Sequence, residues 1–326
     1  MISVIIVNFN GRHFLDECLS ALSTQSFQEF ETILVDNAST DDSIELVREK
    51  YGWVRVIENL QNVGFAAGVN EGIRASEGEY VLTLNNDTIA DRHFIGELKR
   101  AMDEDSTLGM CASKMLFADG RINSTGICIS RSGAAWDRGM FEPDCGQFER
   151  KEEVFGACAG GAIYRKKMLD RIGLFDEDFF LFMEDVDLAF RARLAGWKCV
   201  YIPSARVVHL HGGTTGFRSN LSIYYGNRNL IWYVVKNYPV KTLLVYSPWI
   251  IGRNCAVIPY YIYKGNGRAI IEAKIDAVLG IGKMVKKRKS IRIIISDSEM
   301  NRWIKRFASF KPSQIYSLKS GNAQDR

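Results

Sequence analysis

An α/β fold, built on a mostly parallel central sheet flanked by helices and followed by a helical, basic C-terminal region, is what this sequence predicts. Three observations carry that prediction. Short β-branched runs alternate with helical patterns through the first half of the chain, and strands separated by single helices pair in parallel through right-handed crossovers. Polar residues gather directly after the strands, where open parallel sheets bind their ligands. Charge then changes sign: residues 1–215 hold 22 Lys/Arg against 33 Asp/Glu, a net of −11, and residues 216–326 hold 20 against 5, a net of +15. The chain divides on this reading into a ligand-binding unit over 1–215 and a basic unit over 216–326 that seeks an anionic surface.

The elements follow in order. Ser3–Val7 reads as a buried strand and Phe14–Leu22 as an amphipathic helix. Residues 31–35 form a second strand and Asp42–Lys50 a second helix; Val54–Glu58, Gly68–Ala75 and Tyr80–Leu84 continue as strand, helix and strand. Residues 107–165 are less regular and predict a mixed extension of the sheet with a mobile loop around 131–153. One helix begins near Arg165 and another near Glu184, where carboxylates occupy the first turn as a helix N-terminus favours. Tyr/Trp/Ile-rich helices follow from about 216, ending in the basic run Lys283 to Lys289.

Composition bounds the class. At 47% hydrophobic and 25% charged the chain is an ordinary globular protein, long enough for one large domain and an appendage. Seven scattered cysteines without a paired spacing read as reduced thiols of a cytosolic protein. The N-terminal apolar run is short and lacks a basic flank, so it is a strand rather than a signal peptide.

Four polar constellations stand out. Asp36 and Asn37, after the second strand, suit the hydrogen bonds of a base and ribose, and equally an Asx turn opening the next helix. The glycines of Asn62–Gly72 let backbone approach a ligand closely. Asn85-Asn86-Asp87 ends a central strand with a single carboxylate, which suits Mg²⁺ or Mn²⁺ bound jointly with substrate phosphates. Glu184, Asp185 and Asp187 follow the apolar run Phe179–Met183, an environment that raises a carboxylate's pKa toward that of a general base. His209 and His211, on alternate positions before a glycine pair, add imidazole ligands of the kind such a cation accepts.

In this order and spacing the set resembles the family 2 glycosyltransferases of GT-A fold, a Rossmann-like architecture, and their rhamnosyltransferase-like branch in particular. The likeness runs over about residues 1–215 and is carried by residues 3–10, 34–41, 62–72, 84–88 and 173–177, by Glu184-Asp185-Val186-Asp187-Leu188 with Arg191, and by His209. It implies an inverting, metal-dependent hexosyl or deoxyhexosyl transferase in cell-surface polysaccharide synthesis, with rhamnose the candidate sugar. The donor is a nucleotide-diphosphate sugar and the acceptor a hydroxyl of a glycan or lipid-linked glycan. It also implies roles: Val7, Asn8, Asp36 and Asn37 in the nucleotide pocket with Gly64, Gly68, Asn70 and Asn86 beside it, Asp87 and His209 on the metal (His211 competing), and Asp185 as catalytic base. Asn85 and Asn86 replace acidic positions of the family's DxD motif, and Asn37 replaces a frequent second Asp. A metal on the leaving diphosphate acts as a Lewis acid, and one base then suffices for a single displacement with inversion.

Two other classes rank below. A nucleotidyltransferase of similar architecture calls for a Gly- and Lys/Arg-rich loop after the first strand, where this chain has one glycine, Gly11. A nucleic-acid binder would use the basic region and Tyr224, Tyr225 and Trp232, but the acidic first half and lack of a binding motif oppose it. Residues 242–263 approach the length of a span, yet Arg253, Asn254 and two prolines interrupt them. The expectation is therefore interfacial helices, with the five cations of Lys283–Lys289 on anionic lipid at the inner face of the cell membrane.

Overall fold

The computed structural model describes residues 1–210 and 219–305. Strands β1 (Ile2–Asn8), β2 (Phe30–Asp36), β3 (Val54–Glu58) and β4 (Tyr80–Leu84) alternate with helices α1 (Arg12–Ser23), α2 (Ser43–Lys50) and α3 (Gly64–Ala75). Then come β5 (Thr88–Ala90), α4 (Phe94–Glu104), β6 (Leu108–Phe117), β7 (Ile122–Ser124), β8 (Ile127–Ser130), β9 (Ala135–Asp137), β10 (Glu152–Glu153) and β11 (Gly161–Arg165). Helices α5 (Lys166–Ile172) and α6 (Glu184–Leu194) precede β12 (Lys198–His209). The C-terminal part holds α7 (Asn220–Asn237), α8 (Val240–Tyr263), α9 (Gly267–Leu279), α10 (Ile281–Arg288), α11 (Asp297–Asn301) and β13 (Ile304–Lys305).

The main sheet runs β10-β12-β6-β11-β4-β1-β2-β3. β4, β1, β2 and β3 are mutually parallel, as are β6 and β12, and β11 joins the two groups antiparallel. Alternation along β1 explains the layering. Ile2, Val4 and Ile6 pack with Leu15, Leu19 and Leu22 of α1 on one face, while Ile5 packs with Val69 and Ile73 of α3 on the other. The apolar positions of α1 recur at the helical interval that makes a single buried stripe.

Most elements begin and end within two residues of the sequence expectation. The exception is α3, which starts at Gly64: the Gly-rich stretch expected as a junction is already helical. The mixed sheet extension is present as β6, β7 and β11. The segment expected as a mobile loop is fastened instead. Arg138 donates to the Thr125 carbonyl (3.2 Å), pairs with Glu152 and lies over Phe148 and Tyr201, and buried Lys114 pairs with Asp144 (2.7 Å) and Glu149 (2.5 Å). Its β9 belongs to a second small sheet, β13-β8-β9, whose third strand comes from the far C-terminal part.

The C-terminal helices are packed into the same core. Leu230, Tyr233 and Val234 of α7, with Tyr238 just after it, join Phe179 and Phe190 in one buried cluster, and Tyr238 Oη donates to the Ser130 carbonyl (2.8 Å). Helix α8 continues through Pro248 and Pro259, and among the described residues no helix is long and apolar enough to cross a membrane. Its outer side leaves Leu244, Val245, Trp249, Ile251, Tyr260, Ile262 and Tyr263 exposed, beside Ile271, Ile275, Val278 and Leu279 of α9.

The basic run departs from expectation. Lys283 pairs with Asp178 (2.6 Å), Lys287 with Asp178 (2.6 Å) and Asp176, and Arg288 donates to the Val235 (2.8 Å) and Tyr238 carbonyls. Three of the five cations expected on lipid are thus engaged within the protein. The acids they meet lie far away in sequence, so no local pattern announces the pairing. Lys286 and Lys289 remain exposed.

Candidate active site

The strand ends of β1, β2 and β4 converge on one polar network. Asn86 Nδ2 donates to Asn8 Oδ1 (2.7 Å), and Asn8 Nδ2 donates to Asp36 Oδ1 (2.8 Å) and Ser39 Oγ (3.1 Å). Ser39 returns two bonds to the Asp36 carboxylate, from its backbone N–H (2.8 Å) and its hydroxyl (2.6 Å). An amide at position 86 is what this chain of bonds needs, since an ionised carboxylate there has no hydrogen to give Asn8. Gly11 makes room for the network: a Cβ there would lie 2.1 Å from Asn86 Nδ2 and 2.4 Å from Asn8 Oδ1.

Asn37 donates to the Gly64 carbonyl (3.1 Å) and accepts from Asn59 (3.0 Å), tying β2 to the start of α3. Gly64 has φ +84°, and a Cβ would lie 2.5 Å from the Phe180 ring, so both the turn and the close approach require glycine. Gly68 lies against Val7, its Cβ position 3.0 Å from that side chain. Asn70 goes elsewhere. Its amide donates to the Phe175 carbonyl and Glu177 Oε1 (both 2.8 Å) and accepts from the Phe175 N–H (3.0 Å), so both its polar atoms hold the 175–177 turn rather than face the other predicted pocket residues.

Asp87 and His209 are brought together by the backbone ladder. β5 starts immediately after Asp87 and pairs with β12 so that Thr88 stands opposite His209, and the Leu210 N–H donates to the Asp87 carbonyl (2.8 Å). His209 Nε2 lies 3.0 Å from Asp87 Oδ1 and 3.3 Å from Asn85 Nδ2, while Nδ1 meets Asn123 Oδ1 at 3.1 Å. In the tautomer whose Nδ1 hydrogen goes to the Asn123 oxygen, the Nε2 lone pair can accept from the Asn85 amide or bind a cation shared with Asp87. His211 lies outside the described residues.

The stretch leading into α6 is strained and held from behind. Phe180, Phe182 and Met183 all have positive φ (64°, 65° and 70°), a conformation that costs about 1–3 kcal/mol per residue. Asn229 of α7 donates to the Phe179, Leu181 and Phe182 carbonyls, each at 2.8 Å, and Arg228 donates to the Asp178 (3.0 Å) and Phe179 (3.1 Å) carbonyls. On the far side Arg191 donates to the Ile172, Gly173 and Leu174 carbonyls and to Asp187.

The three acids of α6 therefore part ways. Asp187, wholly buried, meets Arg191 (2.8 Å), Lys236 (2.8 Å) and Asn237 (2.7 Å). Burial alone would raise its pKa, but Lys236 and Arg191 bring it down to about 2, so it is a fixed structural anion. Glu184 is 5% exposed, and burial with the neighbouring Asp185 charge pushes its pKa well up. Asp185 is raised by burial and opposed by N–H groups of Ala159 (3.3 Å) and Val186 (2.7 Å), which favour its ionised form.

Asp185 and His209 line one cavity of about 530 Å³ together with Asn85, Asn123, Asp137 and Glu184. Phe65, Trp136, Phe182 and Tyr261, the last from α8, supply aromatic lining. The sequence reading missed Asn123, Trp136, Asp137 and Tyr261. Asn123, Trp136 and Asp137 sit in short stretches without a periodic pattern, and the pairing of β7 with β6, the β8–β9 hairpin and the docking of α8, which carries Tyr261, bring them to the cavity.

Among described residues no three acids, histidines or cysteines form a cation cage. Asp87 and His209, 3.0 Å apart, are the pair that could hold a divalent cation, since Mg²⁺-type ions commonly take few protein ligands beside substrate phosphates.

The chain is 28% identical over 240 residues, 66% of its length and 78% of the relative's, to an N-acetylglucosaminyl-diphospho-decaprenol L-rhamnosyltransferase of Mycobacterium tuberculosis. Over 216 residues, 63% of its length but 17% of the relative's, it is 26% identical to the O-antigen biosynthesis protein RfbC of Myxococcus xanthus. Among solved structures it resembles a mannosyltransferase of Pyrobaculum calidifontis in complex with GDP-Man and Mn²⁺ (TM-score 0.54, 17% identity, 93% of this chain and 87% of the other). It also resembles GalNAc-T7 with UDP, GalNAc and Mn²⁺ (TM-score 0.61, 14% identity, 88% and 56%), a likeness of fold. The model of glycosyl transferase family 2 matches residues 3–173, more than half of the chain, and with strand ends converging on one polar cleft this protein belongs to that family and has its GT-A fold.

Proposed function

We propose that this glycosyltransferase moves a sugar, with rhamnose the first candidate, from a nucleotide-diphosphate donor to a hydroxyl of a glycan or lipid-linked acceptor in cell-surface polysaccharide synthesis, inverting the anomeric centre. The observation that carries the reading is Asp185: a carboxylate of raised pKa, kept ionisable by two backbone N–H groups, in one cavity with His209. Asp185 removes the proton of the acceptor hydroxyl as that oxygen attacks the anomeric carbon, and the nucleoside diphosphate departs on the opposite side. No second free carboxylate is asked to act as nucleophile. Val7, Asn8, Asp36, Asn37, Gly64, Gly68 and Asn86 form the donor side, where Asn8, Asp36 and Asn86 orient one another by hydrogen bonds and Asn37 holds the Gly64 carbonyl. Asp87 and His209 would hold Mg²⁺ or Mn²⁺, which when bound supplies Lewis-acid stabilisation of charge on the leaving diphosphate.

Residues 1–215 act as the catalytic unit on this reading, and 216–326 hold it at the inner face of the cell membrane. The exposed apolar side chains of α8 and α9, with Lys286 and Lys289 nearby in sequence, support interfacial docking more than the paired cations do. A screen of nucleotide sugars with and without Mn²⁺, run on wild type and Asp185→Asn, tests the proposal. Transfer should fall by on the order of 10²–10⁴ in the variant with nucleotide affinity retained. Parallel loss of nucleotide affinity would move Asp185 to the donor pocket or scaffold.

A further inference from the structure

Neither the base nor the cation pair uses two buried oxygens of the cavity. Asp137 Oδ1 and Glu184 Oε2 are shielded from solvent and have no hydrogen-bond partner among the described residues. Asp36 and Asp187, by contrast, have their oxygens taken up by Asn8, Ser39, Arg191, Lys236 and Asn237. Buried polar atoms are nearly always satisfied, so two unsatisfied ones around one cavity mark where a ligand's hydroxyls, which both donate and accept, belong.

Asp137 is also held rigidly. On β9 it stands opposite Ile127 of β8, another residue of the cavity wall. The next residue is fastened on both sides, its N–H to the Gly126 carbonyl (2.7 Å) and its carbonyl to the Thr125 N–H (3.1 Å). The surroundings select the ligand. Trp136, Phe182 and Tyr261 give the wall an aromatic character that suits the C–H faces of a sugar, whereas the Asp185 carboxylate, joined by Asp137 once that acid, raised by burial to about 7, ionises, repels a second anion.

We propose that Asp137 and Glu184 form the acceptor subsite, Asp137 accepting a hydroxyl of the acceptor's terminal sugar, and that this sugar is uncharged. The inference rests on the reading of the cavity as the place where Asp185 meets the acceptor. It extends that reading by naming the chemistry of the group received: a neutral polyhydroxyl ring, not a uronic acid or a phosphorylated sugar.

Calorimetric binding of octyl β-glucoside, octyl β-N-acetylglucosaminide and octyl β-glucuronide, with a saturating nucleoside diphosphate present, tests it on the full chain. Wild type should bind a neutral glycoside at least about ten-fold more tightly than the glucuronide. Asp137→Asn should weaken the neutral glycoside about ten-fold, as loss of a hydrogen bond to a charged acceptor does, and narrow the gap to the glucuronide. Asp137→Glu should recover part of the loss. Nucleotide affinity, measured in the same cell, should not change and reports that the variants are folded. Equal binding of the glucuronide, no binding of either neutral glycoside, or wild-type affinity in Asp137→Asn each overturns the subsite. Turnover of Asp185→Asn is read separately: wild-type turnover there removes the base, whereas failed calorimetry with that loss intact removes only the acceptor subsite.

Discussion

Replacing Lys236 by methionine removes one charge from a buried cluster whose geometry sets the size of the effect. Its ammonium lies 2.6 Å from Asp176 Oδ2 and 2.8 Å from Asp187 Oδ1, with the lysine side chain 5% exposed and that of Asp187 not exposed. Stripping one partner from a buried pair costs about 3–5 kcal/mol. The lower end applies here, because Arg191 and Asn237 stay on Asp187 and Lys287 stays on Asp176. A loss of about 3 kcal/mol, at roughly 2 °C per kcal/mol for a chain this long, lowers Tm by about 6 °C. The sign with pH follows from Asp187, whose pKa is depressed to about 2 against about 3.9 unfolded. A depressed acid contributes stability above its unfolded pKa and loses it as pH falls through the folded one. The wild-type advantage over Lys236→Met should therefore be full at pH 6 and shrink between about pH 4 and pH 2. Urea unfolding at pH 6 and pH 3 reads both. A loss under about 1 kcal/mol at pH 6, or a gap that does not change between the two pH values, would refute the reasoning.

Chelation should abolish transfer, Asp87→Ala should do the same or raise the Mn²⁺ requirement, and His209→Ala should act likewise but more mildly; full activity in excess chelator sinks the cation role of both. Gly11→Ala drives a methyl into Asn8 and Asn86, so nucleotide affinity should fall about ten-fold alongside an overpacking cost of about 1–3 kcal/mol; wild-type affinity would separate that network from the donor. Lys286→Gln with Lys289→Gln should weaken binding to anionic liposomes at low salt without changing Tm. Lys283→Gln with Lys287→Gln should instead lower Tm, because those two neutralise Asp176 and Asp178. Trp249→Ser with Ile251→Ser should release the protein from liposomes more than either lysine pair; equal release by salt alone would mean that charge, not apolar burial, holds it.

What sequence reveals and what it hides divide along sequence separation. β1 to β4 and the polar residues at their ends are legible because a buried parallel strand is a short β-branched run and its ligand-facing end is polar. The start of α6 is legible because three carboxylates in one turn are unusual anywhere else. Their fates are not: Asp187 becomes a structural anion only because Lys236 arrives from α7, and Asp185 stays available because none does. Asn123 and Asp137 have no periodic signal: Asn123 depends on the pairing of the three-residue β7 with β6, and Asp137 on the short β8–β9 hairpin, which the distant strand β13 extends. Charge arithmetic on Lys283–Lys289 fails for a related reason: a count of cations carries no information about acids more than a hundred residues upstream.

The Asn229 clamp places a constraint on how this enzyme is made. Three left-handed residues before Asp185 have no glycine among them, and the amide that grips the Phe179, Leu181 and Phe182 carbonyls around them lies downstream in the chain of every residue proposed for donor, cation and base. A nascent chain ending near residue 215 would own every proposed ligand for donor and cation, yet neither Asn229 nor Arg228 to hold the stretch before the base. The stretch before Asp185 thus lacks its clamp until α7 is in place, and a chimera that joins residues 1–215 to another protein's tail would inherit the residues without the shape.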